Sequence, residues 1–412
     1  MRPAHFDDPS TSSLPPLPTR LPAPVRTARA RRRPLTGPVP ATGAWRPGDP
    51  VGRRKFADLG PLHLEAGGKL PHVRLAYETW GTLNERGDNA ILILHALTGD
   101  SHVTGAAGPG HPTDGWWSGL VGPGKAIDTD SYFVVAPNVL GGCQGSTGPS
   151  SSAPDGTPWG SRFPYLTVRD QVAAEIELAD HLGIGTWAAV VGGSVGGHRV
   201  LEWAVCAPER VRTAIAIATN AQTPGDQIAW AHAQLGAIRT DPRFRGGDYY
   251  QAADDDGPHH GLGVARQIAH TTYRSAKELD QRFGRIPQGG EEPLGRGGRF
   301  AVQSYLDHHA GKLARRFDAN SYVVLTESML THDLGRDRGG VTAALGEIAA
   351  PTLAVAVDSD RLFLPEQSLQ IADHVRHGTL RMINSDHGHD GFLIETEQLA
   401  RHITEFLAHQ LA

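Results

Sequence analysis

The stretch Thr186 to Val205, TWAAVVGGSVGGHRVLEWAV, decides the fold. The apolar run Trp187 to Val191 reads as a buried strand. Gly192-Gly193-Ser194-Val195-Gly196 fits G-x-S-x-G, and a stretch with Val200, Leu201 and Ala204 on one helical face follows at once. Strand, sharp turn and helix in that order is the context of a nucleophile elbow, in which a strained turn holds a serine exposed above the strand ends. The glycines serve the turn, because only residues without a Cβ let strand and helix approach so closely.

Working outward, the flanking segments repeat the alternation. His72 to Gly81 alternates like a strand, and Asn89 to Ala96 and Tyr132 to Pro137 are continuous apolar runs that read as buried strands. Thr167 to Leu182 has helical spacing, and Val211 to Thr219 is the next strand. This order predicts a parallel, doubly wound sheet. After Asn220 the pattern turns helical, with Gly263 to Arg274 and Val302 to Phe317 separated by the Gly-rich segment Gly284 to Arg299, read as a mobile loop. Strands resume at Pro351 to Val357 and Thr379 to Ile383, with helices at Gln367 to Val375 and from Thr396. The predicted organisation is a disordered Pro/Arg-rich tail over 1–50, a first core part over 51–221, a helical lid over 222–340 and a second core part over 341–412. The tail is too poor in large apolar residues to offset its chain entropy.

Composition narrows the function classes. The chain has 39 Lys+Arg against 44 Asp+Glu, so no sustained basic field argues for nucleic acid. Arg31-Arg32-Arg33 lacks the apolar segment that an export signal needs next, and reads as part of a solvated tail. No apolar run reaches the roughly 18 residues that span a membrane. Two cysteines make no disulfide framework and suggest a reducing, cytoplasmic compartment.

A serine hydroxyl needs a base, and the base an orienting acid. On this topology the chain order is serine, acid, histidine. Asp358 and Asp360 follow the strand Pro351 to Val357, and His387 and His389 follow the last strand; residue reading alone does not choose within either pair. Oxyanion donors are expected at the backbone of Val195, after the nucleophile, and in an earlier loop around Leu97. His95, Asp100 and His102 are conceivable metal ligands, but no matching pair follows at metal spacing, so no metal is assigned. Cys143 is read as a buried packing residue rather than a nucleophile.

Four pieces in order, His95 to Asp100 (HALTGD), Asn138 to Gly145 (NVLGGCQG), Gly192 to Gly197 (GGSVGG) and Gly388 to Phe392 (GHDGF), resemble the homoserine O-acetyltransferase family of α/β-hydrolase-fold acyltransferases. The resemblance runs from about Phe56 to the C-terminus. It implies an α/β-hydrolase fold: a mostly parallel central sheet flanked by helices, with an inserted helical lid. It also implies ping-pong transfer of an acetyl group from acetyl-CoA to the hydroxyl of L-homoserine, a step toward methionine, with no permanently bound cofactor. The resemblance selects Ser194, Asp360 and His389 as the triad. It implies Arg266 for the substrate carboxylate, Asp390 for its amino group, Tyr273 close by, and a homodimer formed through the lid. A zwitterion needs one cation and one anion, which agrees. The family pattern commonly has Met at the position of Val195, and Gly284 to Arg299 looks like an insertion. Succinyl-CoA as donor, serine as acceptor, an esterase or thioesterase on the same fold, and a non-catalytic binding module are the competing readings.

Overall fold

A computed structural model of the chain describes residues 37–294 and 297–411. The basic run Arg31 to Arg33 and most of the expected tail lie outside the described residues. The rest of that tail does not behave as one. Thr42 Oγ1 donates to Asp318 Oδ1 at 2.7 Å, Gly43 N–H to the Phe317 carbonyl at 3.1 Å and Trp45 N–H to the Cys143 carbonyl at 2.9 Å. Small residues at 41–44 let this backbone lie against Arg316 to Asp318 and use its own hydrogen bonds there, a source of order that large-apolar counting misses.

The sheet has eight strands: β1 (Lys55–His63), β2 (Lys69–Trp80), β3 (Ala90–Leu94), β4 (Phe133–Pro137), β5 (Ala189–Gly193), β6 (Ala214–Ile217), β7 (Thr352–Val357) and β8 (Gly378–Ile383). Their spatial order is β1-β2-β4-β3-β5-β6-β7-β8. The β1–β2 and β2–β4 pairs are antiparallel, and the rest of the sheet is parallel. Every residue of β3, β5, β6 and β7 is buried, as continuous apolar runs covered on both faces require. β1 was not anticipated. Its burial alternates irregularly and its register shifts between Asp58 and Leu62, which hides the period-2 signal.

One face of the sheet carries α1 (Val168–His181), α2 (Val195–Cys206), α8 (Val341–Glu347) and α9 (Pro365–His374). The other carries α10 (Gly391–Ile394) and α11 (Thr396–Gln410). A capping box, Thr167 with Asp170, starts α1. Between β6 and α8 the described chain forms five α-helices: α3 (Gly225–Arg239), α4 (His259–Tyr273), α5 (Ala276–Arg282), α6 (Ala301–Ala314) and α7 (Ala319–Leu330). All but α5 contribute to an apolar cluster that includes Leu97, Val139 and Val195 at the sheet's mouth. The chain enters and leaves this insertion side by side: Thr223 N–H donates to the His332 carbonyl and Leu334 N–H to that of Ala221. The described part of Gly284 to Arg299 folds back on itself, with Gln288 N–H donating to the Arg299 carbonyl at 2.8 Å and Arg299 beside Glu291.

Candidate active site

The turn between β5 and α2 sets Ser194 at φ 57, ψ −128. A non-glycine residue there costs on the order of 1–3 kcal/mol and persists only if its surroundings hold it. They do: Ser194 N–H donates to the Ile217 carbonyl, and Gly197 N–H and Thr219 Oγ1 both donate to the Ser194 carbonyl. The close approach is also visible. A Cβ on Gly196 would stand 2.1 Å from the Leu94 carbonyl oxygen, and one on Gly193 would stand 2.5 Å from the Phe392 ring. Arg199 of α2, buried, pairs with Glu175 of α1 and donates to the His95 carbonyl at 2.6 Å, tying the elbow helix to the exit of β3.

Across the mouth of the sheet, His389 reaches the serine. Ser194 Oγ and His389 Nε2 are 2.9 Å apart, and His389 Nδ1 lies 2.6 Å from Asp360 Oδ2. The other oxygen of Asp360 accepts from the amides of Leu362 and Phe363 at 2.8 and 2.9 Å. All three side chains are buried. Of the paired candidates, Asp360 and His389 are the ones that lie together with Ser194. Asp358 is exposed and accepts from Ser385 N–H, and His387 faces Glu278 of α5 instead of the serine. With Nδ1–H held by Asp360, Nε2 can accept the serine proton as Oγ attacks an electrophile.

Leu97 and Val195 line the same small cavity as Ser194, together with Tyr273, Trp230 and Met329. This is where two backbone amides can meet an oxyanion. His95 shapes the Leu97 loop from behind. Its Nδ1–H donates to the Ala96 carbonyl and its Nε2 accepts from Val139 N–H. Burial, with Arg199 close by, pushes His95 down to about 3, so it stays neutral. Burial pushes the Cys143 thiol up to about 12, which suits packing and not nucleophilic attack.

A second cleft, of about 360 Å³, opens between lid and sheet and is lined by Thr98, Arg266, Arg274, Arg316 and Asp390 among others. Arg266 Nη1 lies 3.3 Å from Thr98 Oγ1, and its guanidinium stands 5.3 Å from the centre of the Tyr273 ring. That ring is in turn 5.9 Å from His389. Tyr273 therefore sits between Arg266 and the serine site. Among the described residues no carboxylate pairs with Arg266. Asp390 is not free in this way: its Oδ2 lies 3.0 Å from Arg274 Nη2. Arg274 escaped the sequence reading because a helix-end arginine carries no signal until its partner is located.

The side chains of Asp100 and His102, two positions apart, have different charged partners. Asp100 lies near Arg316, whereas His102 joins Glu78 and His111 in a buried group whose donor atoms are all within 4.8 Å. The sequence hid this group, since Glu78 stands on β2 and His111 nine positions on. Several of its atoms already have partners. Glu78 accepts from Ser101 Oγ and His102 Nδ1, and His111 Nε2 accepts from Arg53 N–H at 3.0 Å. The two imidazoles are stacked at 3.8 Å with planes 11° apart.

A family profile described as the alpha/beta hydrolase fold matches residues 89–396. Over 375 residues, 90% of this chain and 98% of the other, the sequence is 61% identical to the homoserine O-acetyltransferase of Thermobifida fusca (strain YX). The chain belongs to the homoserine O-acetyltransferase family. Among solved structures, the homoserine O-acetyltransferase of Bacillus anthracis superposes with a TM-score of 0.79 at 28% identity, covering 86% of this chain and 97% of that one. An acetylester hydrolase from Corynebacterium glutamicum superposes at 0.75 with 26% identity, covering 87% and 96%. The α/β-hydrolase scaffold thus serves both a homoserine O-acetyltransferase and an esterase at similar distance from this chain, and what separates the two chemistries has to be sought in the site.

Proposed function

We propose that the chain transfers the acetyl group of acetyl-CoA to the hydroxyl of L-homoserine, giving O-acetyl-L-homoserine for methionine biosynthesis. The observation that carries this reading is the pairing of a Ser194–His389–Asp360 relay with a cleft that offers a cation, Arg266, and an anion, Asp390, for the two charges of an amino acid. The family membership supports it.

In the first half-reaction Ser194 Oγ attacks the thioester carbonyl while His389 Nε2 takes its proton. The oxyanion rests on the amides of Leu97 and Val195. The C–S bond breaks, His389 returns the proton to the departing thiolate, and the acyl group stays on the serine. In the second, homoserine's hydroxyl gives its proton to His389 and attacks the ester carbonyl, and the serine leaves with that proton. Asp360 holds the imidazole in the tautomer both steps need. Arg266 takes the acceptor's carboxylate, Asp390 its ammonium group, and Tyr273 closes the space between them and the reacting carbonyl. Acetyl-CoA is a substrate, and no resident cofactor enters these steps.

An esterase on this scaffold would pass the acyl group to water. The likeness to the acetylester hydrolase favours that second reading, and the charged clamp argues against it. The two readings part in an assay of CoA release with acetyl-CoA or succinyl-CoA, each with and without L-homoserine. Homoserine-dependent release from acetyl-CoA alone, abolished in Ser194→Ala, is expected. Release indifferent to homoserine would support hydrolysis, and homoserine-dependent release from succinyl-CoA would reassign the donor. Pairing of two copies through the lid is part of the same reading. Exposed apolar side chains on it, Ile228 of α3 and Val264 of α4, support that arrangement. A monomer in sedimentation equilibrium would overturn it. We place the enzyme in the cytoplasm. Its cysteines, Cys143 and Cys206, are unpaired, and no helix among the described residues is long and apolar enough to cross a membrane.

A further inference from the structure

Arg274 closes α4 at the corner where the lid turns into α5. The corner is fastened to the loop that carries His389. Ser275 Oγ donates to the Asp386 carbonyl, Lys277 pairs with Asp386 at 2.8 Å, and a Cβ on Gly388 would stand 2.6 Å from Ser275 N. Arg274 itself is mostly buried. Its Nη1 donates to both carboxylate oxygens of Glu278 at 3.1 Å, and its Nη2 lies 3.0 Å from Asp390 Oδ2. Glu278 is held in turn by Arg282 at 3.5 Å.

A staple between lid and loop explains Ser275, Lys277 and Gly388. It does not explain why the arginine should be aimed at a carboxylate that lines the same cleft as Arg266. The directed hydrogen bonds of Arg274 go to Glu278; toward Asp390 it offers a charge at fixed distance. Such a contact fixes a carboxylate's place and leaves lone pairs for another donor.

We propose that Arg274 is a positioning residue for the acceptor: anchored by Glu278, it sets Asp390 in the cleft wall as the anion that receives the amino group of the substrate. This rests on the reading of Asp390 as the ammonium site. The groups facing Asp390 are Arg274, Arg266, Glu278, Tyr273 and Tyr305 from the lid and His389 from its own loop. Burial pushes the Asp390 carboxyl upward, and Arg274 is foremost among the groups that oppose it, ahead of His389 and Arg266. Removing Arg274 takes that opposition away, so the carboxyl gains its proton at higher pH and loses its hold on an ammonium group there.

The test compares Arg274→Gln, Arg274→Lys and Asp390→Asn in steady-state kinetics and in the burst of CoA released before homoserine is added. Arg274→Gln is expected to raise the homoserine KM about tenfold with the CoA burst intact, and to move the acid limb of kcat/KM for homoserine up by about one pH unit. Arg274→Lys should restore most of both. An unchanged KM and acid limb with an intact burst would reduce Arg274 to a staple and overturn the proposal. Should Arg274→Gln fail to fold, Glu278→Gln carries the test. It frees Arg274 to swing, and the homoserine KM should rise about threefold; no rise with an intact burst overturns the proposal. Separately, Asp390→Asn with an unchanged homoserine KM would sink the ammonium reading itself, whatever Arg274 does.

Discussion

Phe363 lies flat on His389, with ring centroids 4.9 Å apart and planes 21° from parallel, while its own amide donates to Asp360. One residue thus holds both the acid and the face of the base. Phe363→Ala keeps the amide and removes the ring. The imidazole gains freedom to tilt, and a small misplacement of a reacting group costs up to roughly 100-fold. A fall in kcat of roughly 10- to 100-fold with little change in either KM is expected. Wild-type kcat in this variant would show that Asp360 alone orients the ring.

The two candidate acids can be separated by one pair of variants. Asp360→Asn should lower kcat by about 10⁴, the order seen when a triad acid becomes an amide and the histidine takes the wrong tautomer. Asp358→Asn alters only an exposed acceptor of the Ser385 amide, so it should leave kcat within about threefold and cost at most about 1 kcal/mol in thermal or urea unfolding. The reverse ranking would move the acid to Asp358.

Arg266 should act on one substrate only. Arg266→Gln removes the cation proposed to meet the acceptor's carboxylate and should raise the homoserine KM by about 100-fold, the weight of a lost charged contact in a partly buried site. The acetyl-CoA burst should persist, because the Ser194 relay is untouched. Loss of the burst would mean that Arg266 serves the donor.

Stability should fall on mild acidification. His95 and His198 are both buried and held down to about 3, chiefly by burial. An unfolded chain titrates them near 6.5. Between those values the unfolded state binds more protons, so stability rises with pH and is lost as pH drops below about 6.5, by about 1.4 kcal/mol per pH unit for each such group. His198→Gln keeps an amide to meet Asn220 and cannot take a proton. Thermal unfolding from pH 7 to 5 should therefore be less steep in this variant. Equal slopes would place the acid sensitivity elsewhere.

The sequence disclosed most of what the sheet does and less of what the lid does, for a physical reason. Covered parallel strands announce themselves as unbroken apolar runs, and an elbow needs its glycines in fixed places, so β3, β5, β7 and Ser194 were legible directly. Asp360 and His389 were legible as one of two each, because their neighbours Asp358 and His387 have the same chemistry and differ only in where the turn aims them. The packing of residues 41–44 and the irregular β1 were not legible, since backbone hydrogen bonds and bulges leave little trace in hydropathy. The Arg274–Asp390, Glu78–His102 and Glu78–His111 pairs join positions 24 to 116 residues apart, and no local pattern encodes them.

The paired entry and exit of the lid, through Thr223 with His332 and Leu334 with Ala221, has a consequence for how the chain can be edited. Everything proposed to form the acyl-enzyme lies outside that neck, while Arg266 lies within it. On the proposed reading, the acceptor's clamp is divided, with Arg266 and Tyr273 on a cassette whose two ends already meet and Asp390 outside it. Replacing the cassette would leave the closure of the surrounding chain nearly unchanged, because the entropy of joining neighbouring ends depends only weakly on what is looped between them. What a replacement must supply instead is cover for Leu97, Val139 and Val195, which pack against the lid.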